Sequence, residues 1–223
     1  MPEYRPMSAW RLLGAALRLY RANFLTYVAL SLIDSLVAWG LSTHGTSSWF
    51  LLLVIVLVIA GVAAQTLLFA TAIRSATGAG GIPWPDLRRM WAFLLALLVI
   101  TVAGTIGFAL LILPGVLLLT WWAVTPTVVV AEGRGAFSAL GRSRALVRGH
   151  FWHVLGTMAL GALVFAAAFV VVTLVLVAHP PLSSLWQVVL GAIADPWVPC
   201  LVTVLYLDLR VRAGEPVVGP GVR

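Results

Sequence analysis

The sequence predicts an all-α, polytopic integral membrane protein: a bundle of about six transmembrane helices with amphipathic helices at its cytoplasmic interface. Three observations predict it. Hydrophobic residues make up 62% of the 223 positions and charged ones only 9%, where a soluble domain carries about a quarter. Mean hydropathy is +1.07, and so few charges cannot cover a surface facing water. The apolar residues also gather into six runs close to the ~20 residues a helix needs to cross the hydrocarbon core. Finally, the cations fall only in alternate connectors between those runs.

Before the first run, Trp10, Leu13, Leu17, Tyr20 and Phe24 recur at three- and four-residue steps, with Arg11 and Arg18 on another face. That pattern predicts an amphipathic helix over about 8–23, lying in the headgroup layer or packed beneath the bundle. The spans follow at about 24–41, 49–73, 91–113, 115–131, 151–178 and 184–207, with a cytoplasmic tail over 208–223, all in one transmembrane domain 1–223. The first run lacks a small-x-small cleavage pattern after it and is expected to be retained. Asp86 with Pro83 and Pro85 opens a helix that runs through Arg88 and Arg89 into the third span, and 135–149 forms another leading into the fifth. Arginine precedes a span-opening aromatic at Arg21 and Phe24, Arg89 and Phe93, and Arg148 and Phe151, which suggests three units of interfacial helix plus hairpin. Pro114 and Gly115, both helix breakers, predict a tight outer turn. Within the sixth span, Asp195 before Pro196 reads as an N-cap that restarts a broken helix.

The 14 cations are all arginine. They precede the first span, lie between the second and third and between the fourth and fifth, or follow the sixth, while 42–48, Pro114–Gly115 and 179–184 hold none. The positive-inside rule therefore places both termini in the cytoplasm. A net charge of +7 is of the size a nucleic-acid binder carries, but arginines confined to connectors between apolar runs are not the basic face of a soluble reader. The lone Cys200 excludes an intrachain disulfide.

Several short motifs occur together. One stretch carries Leu113-Pro114-Gly115, Pro126, Glu132, Ala139-Leu140, Arg142-Ser143, Leu146, Gly149 and Phe151. The chain closes on Tyr206-x-Asp208-x-Arg210-x-Arg212 and opens on Ala16-Leu17-Arg18-Leu19-Tyr20 through Asn23-Phe24. In these residues it resembles the membrane domain found with glycerophosphoryl diester phosphodiesterases, which also occurs as stand-alone bacterial membrane proteins. The resemblance implies an anchor or accessory, because hydrolysis in that family belongs to a separate soluble barrel, for which these 223 residues leave no room. The expected setting is a bacterial plasma membrane.

The residues themselves offer three candidate sites. Arg144 and Arg148 are four apart on one helix side and, with Arg142, could hold an anionic lipid headgroup or a partner. Alternatively, these arginines only fix topology or pair with Glu132 and Asp208, forming with Arg210 a cytoplasmic charge network. The intramembrane acids Asp34 and Asp195 both fall roughly 15–17 Å from the cytoplasmic end. Acids at that depth often mark ion routes, although a cap and a protonated hydrogen-bond donor are the plainer readings. No cofactor or metal site is expected: His150 and His153 share a helix face without a third ligand, and Gly78 to Gly81 lack the lysine of a phosphate loop. Without a nucleophile–base set, the expected function is a non-enzymatic accessory protein whose partners are anionic lipids, another membrane protein or a second copy. The alternative is a small transporter or channel using Asp34 and Asp195.

Overall fold

The computed structural model describes residues 7–43, 50–78, 86–177 and 183–215. Among the described residues the chain is all-α, in the order α1 (Ala9–Ala22), α2 (Phe24–Thr43), α3 (Phe50–Thr77), α4 (Leu87–Leu110), α5 (Ile112–Trp121), α6 (Thr125–Glu132), α7 (Ala136–Val147), α8 (Phe151–Val177), α9 (Ser183–Ala194) and α10 (Trp197–Arg212). Each expected run corresponds to one helix or to a pair broken once. Four described stretches are long and apolar enough to cross a membrane: Val58–Thr77, Leu87–Leu110, Ile112–Glu132 and Gly191–Arg212. A fifth, Ala136–Val147 plus Phe151–Ala167, qualifies only as a pair bent by 103°. That bend is the corner expected where a short interfacial helix feeds a span.

The outer faces of α4 and α8 explain why the chain needs lipid. Leu98, Val102 and Ile106 on α4 and Leu163, Phe169 and Leu174 on α8 are all exposed. Exposed apolar side chains in such number, on helices long enough to cross a membrane, suit a lipid environment. The centre is α10, buried at every position over 199–209.

α1 lies lengthwise along α10, part of the span candidate Gly191–Arg212, rather than across the end of the bundle as an interfacial helix would. The Met7 backbone N–H donates to Asp208 Oδ1 at 2.7 Å near one end of α10, and the Tyr20 hydroxyl donates to the Ile193 carbonyl at 2.9 Å beyond the other. The packed face of α1 is Leu12, Leu13, Ala16 and Leu19, whereas Trp10, Leu17 and Phe24 of the expected stripe are exposed. The helix is apolar on two sides, so one stripe meets protein while the other is left for lipid.

The breaks have local causes. Pro126 has no N–H to donate and its ring clashes with the carbonyl four residues back, here that of Trp122. The helix accordingly stops at Trp121 and restarts at Thr125. The second break falls at Asp195 and Pro196, as the sequence suggests, but Pro196 rather than Asp195 takes the cap position of α10.

Pro114 and Gly115 do not form the turn. The chain reverses at extended Leu111, and both residues lie inside α5. Gly115 instead lets α5 approach α4, because a Cβ there would come within 2.7 Å of Phe108 Cγ and 2.9 Å of the Phe108 backbone nitrogen. Close contact through small residues is how helices gain packing energy in lipid, where no hydrophobic drive separates protein from solvent. The expected helix through Arg88 and Arg89 is the first turn of α4 itself, with the Asp86 carboxylate accepting from the Arg89 backbone N–H at 2.9 Å. Among the described residues α1 and α7 are separate short helices ahead of α2 and α8, whereas the turn that carries Arg88 and Arg89 is continuous with α4.

Candidate functional site

The site is built from the α5–α6 break outward. With Pro126 unable to donate, the Thr125 N–H turns to the Trp122 carbonyl at 3.0 Å, which leaves the Trp121 carbonyl without its helical partner. The Ser143 hydroxyl of α7 donates to it at 2.8 Å. That bond seats α7 across the break and brings the Arg144 guanidinium to 4.6 Å from the centre of the Trp121 ring, within reach of a cation–π interaction.

Two ion-pair networks surround the end of α10. On a helix, residues two apart point to nearly opposite sides and residues four apart share one. The closing Tyr206-x-Asp208-x-Arg210-x-Arg212 therefore splits into two faces. On the first, the Tyr206 hydroxyl donates to Glu132 Oε1 at 2.9 Å, and Arg210 Nε donates to Glu215 Oε2 at 3.2 Å. Arg142 joins these two carboxylates, reaching Glu132 Oε1 at 3.3 Å and chelating both oxygens of Glu215, with Oε1 at 2.6 Å. Arg134 completes the set on Glu132.

The second face carries Asp208, which is fully buried. Its Oδ2 accepts from Arg212 Nε at 2.7 Å and lies 3.1 Å from His153 Nε2, while Oδ1 takes the Met7 N–H. Arg212 also donates to the Met7 carbonyl at 2.8 Å. A carboxylate with three partners satisfies the rule that buried charges be paired and hydrogen-bonded. His153, weighed above as a metal ligand, is instead a tie between α8 and α10.

Outside the spans the charges adjust to one another. The Arg142 guanidinium bonded to Glu215 holds that carboxyl below its ordinary value, against the opposing effect of burial, and Glu215 in turn raises Arg142. Both stay ionised at neutral pH.

The other arginines differ. Arg11, Arg18, Arg21, Arg88, Arg144 and Arg148 are exposed, and among the described residues none is ion-paired to a carboxylate. Arg144 and Arg148 lie one turn apart on α7, between exposed Phe137 and Trp152, which are 69% and 80% accessible. Arg89 turns inward, donating to the Val130 carbonyl at 3.4 Å beside the left-handed Gly133 that ends α6.

Arg142 therefore does not share a surface role with Arg144 and Arg148: it is held by Glu132 and Glu215. The expected network of Glu132, Asp208 and Arg210 is present but divided, since Asp208 sits apart from the other two. Glu215, His153 and Arg212 complete the two networks, in roles that the sequence does not assign to them. The four-residue spacing of Asp208 and Arg212 was the one available signal. Asp195 lies at the α9–α10 break, near Ser35 of α2 across Gly191. The side chain of Asp34, next to Ser35, lies outside the described residues.

No family model, curated protein or solved structure matches the chain. The resemblance to the phosphodiesterase membrane domain rests on the quoted motifs alone.

Proposed function

We propose that this is a non-enzymatic accessory protein of a bacterial plasma membrane, with the end that carries Arg142, Arg144, Arg148, Arg210 and Arg212 in the cytoplasm, and that this end binds anionic phospholipid. The observation that carries the reading is the division of the arginines. Among the described residues Glu132, Asp208 and Glu215 are used on Arg134, Arg142, Arg210 and Arg212, and Arg144 and Arg148 are exposed without a carboxylate partner. Their flanking aromatics suit the headgroup layer, where amphipathic rings settle, and guanidinium matches phosphate in geometry. An orientation with the arginines inside follows from the cation-free alternate connectors.

The test is mass spectrometry of the protein extracted with its lipid shell. Juxtamembrane cations are worth about 1 kcal/mol each toward an anionic leaflet. Arg144→Gln with Arg148→Gln should therefore lower retention of phosphatidylglycerol over phosphatidylcholine by up to about 30-fold. Arg142→Gln should leave that preference nearly intact. Unchanged preference in the double variant would reject the reading, and stoichiometric recovery of another membrane protein would move it to a protein partner.

A second reading, transport through the intramembrane acids, draws on the packing of α2 against α9. Ser31 Oγ donates to the Ala192 carbonyl at 2.6 Å, and a Cβ on Gly191 would meet Ser35 Oγ at 2.6 Å and Asp195 Oδ2 at 3.9 Å. Asp34 thus belongs to α2, and Asp195 directly follows α9, the helix packed against it. Proton or cation flux into vesicles that disappears in Asp34→Asn with Asp195→Asn would favour it; flux that persists would not.

A further inference from the structure

We propose that the cleft between α3 and α4 seats a short stretch of one acyl chain of an anionic phospholipid, and that Arg88 holds the phosphate of that lipid. The inference rests on the reading that anionic lipid is the ligand, but it names a separate site, remote in sequence from α7.

The cleft is a half-open groove of about 70 Å³, room for a short stretch of chain, and is lined by Val58, Ile59 and Val62 of α3 and by Leu87, Met90, Trp91 and Leu94 of α4. Its lining is entirely of apolar side chains. The two helices are pinned at Phe69 and Phe93, whose rings stand 5.6 Å apart, and the cleft opens beside that contact. Helical spacing explains why it stays open. Leu87, Met90 and Trp91 fall on one stripe, whereas Arg89, Phe93 and Ala96 fall on roughly the opposite one. The second stripe is the packed one, since Phe93 and Ala96 are buried and Arg89 reaches the end of α6. The first is left outward, with Leu87 68% and Trp91 60% accessible.

An apolar cleft at a lipid-facing surface takes an acyl chain. Charge is what would make this one selective. Arg88 follows Leu87 directly, at the end of α4 that carries the polar residues, and it is exposed. Among the described residues it has no carboxylate partner. The nearest acid in sequence, Asp86, is committed to capping the helix through the Arg89 N–H at 2.9 Å, and residues two apart do not face each other on a helix. Arg88 can extend its guanidinium to a phosphate while its stem stays along apolar surface. Met90 supplies an adaptable wall and Trp91 an interfacial ring beside the headgroup.

The experiment uses the full chain in vesicles containing phosphatidylglycerol with a photoactivatable diazirine in one acyl chain. Adducts are mapped by mass spectrometry. Labelling should saturate and concentrate on 58–62 and 87–94. Unlabelled phosphatidylglycerol should compete about fivefold better than phosphatidylcholine, the factor expected from one arginine. Arg88→Gln should abolish that preference while leaving the adduct positions in place. Val62→Phe, which fills the cleft, should remove the adducts. Non-saturating labelling spread over the outer faces of α4 and α8, or an unchanged preference in Arg88→Gln, would overturn the proposal. If Val62→Phe does not fold, the Arg88→Gln comparison still decides. The same labelling in Arg144→Gln with Arg148→Gln separates the two sites. Loss of retention there with intact cleft labelling supports both, and cleft labelling without any effect of the α7 pair leaves this site standing alone.

Discussion

Arg142, Arg210 and Arg212 carry the same charge as Arg88, Arg144 and Arg148, yet the two groups stand in opposite surroundings. The first three converge on Glu132, Glu215 and Asp208 at the buried end of α10. The second three are exposed on α4 and at α7, without carboxylate partners among the described residues, and within a few turns in sequence of the exposed Trp91, Phe137 and Trp152. Positive-inside counting weighs all six equally, because it depends on charge and position along the chain. What separates them is whether an acid is present in space. The paired group fastens helices to one another, and its removal should register as lost stability. The unpaired group has no ion pair to lose: removal of Arg88 or Arg148 should register in lipid selectivity with stability within about 0.5 kcal/mol of the native protein, and removal of Arg144 should add the loss of its contact with Trp121, about 0.5–1 kcal/mol.

The sharpest way to break this comparison is at Asp208. Buried ion pairs are weak contributors when whole, yet removing one partner leaves an uncompensated charge and costs about 3–5 kcal/mol. Asp208→Ala should therefore lower the thermal unfolding temperature in detergent more than any arginine substitution on α4 or α7. It also strips the Met7 N–H of its acceptor, so the start of α1 should become more susceptible to protease. Asp208→Asn keeps an acceptor and should be milder. An Asp208→Ala protein that melts like the native one would show that the buried network does not hold α1, α8 and α10 together.

Ser143 joins the two groups, since it belongs to the packed face of α7 while seating Arg144. Ser143→Ala leaves the Trp121 carbonyl unpaired, at about 1–2 kcal/mol. The expected result is a moderate loss of thermal stability together with part of the lipid effect of Arg144→Gln. A stability loss with unaltered lipid preference would detach the seat from the surface and sharpen the division.

How much of this was legible in the sequence depends on whether the signal was local. The runs, the break at Pro196 and the corner ahead of α8 follow from residues within one or two turns. The pairing of Arg142 with Glu215 joins positions 73 apart, and no helical spacing links them. The split of α1 into a packed and an exposed stripe was hidden for a different reason. In water, polar residues mark the outer face of a helix, but lipid accepts Trp10 and Leu17 as readily as protein accepts Leu12 and Leu19. The turn assigned to Pro114 and Gly115 failed because glycine serves helix contact as well as chain reversal. Asp208 was singled out by its motif, but its partner His153 lies on another helix, and only the fold brings them within 3.1 Å.

The smallest expected effect concerns Glu215, which joins the paired group from beyond the end of α10. Its carboxyl is depressed in the folded protein, chiefly by the hydrogen bond from Arg142 and then by Arg210. A depressed acid contributes stability that is fully present above its unfolded value, about 4.3, and that fades as pH falls through the lower folded value. Arg142 and Glu215 are both partly accessible, with side-chain exposures of 22% and 29%, so the contribution should stay under about 1 kcal/mol. Other carboxylates titrate in the same window, which makes the difference between two proteins the useful quantity. The melting temperature of the native protein minus that of Glu215→Gln should be positive at pH 7, shrink below about pH 4.3, and approach zero at lower pH. A difference that stays constant across that range would mean that Glu215 acts through its shape and neutral hydrogen bonds, and the paired group would then end at Glu132 and Asp208.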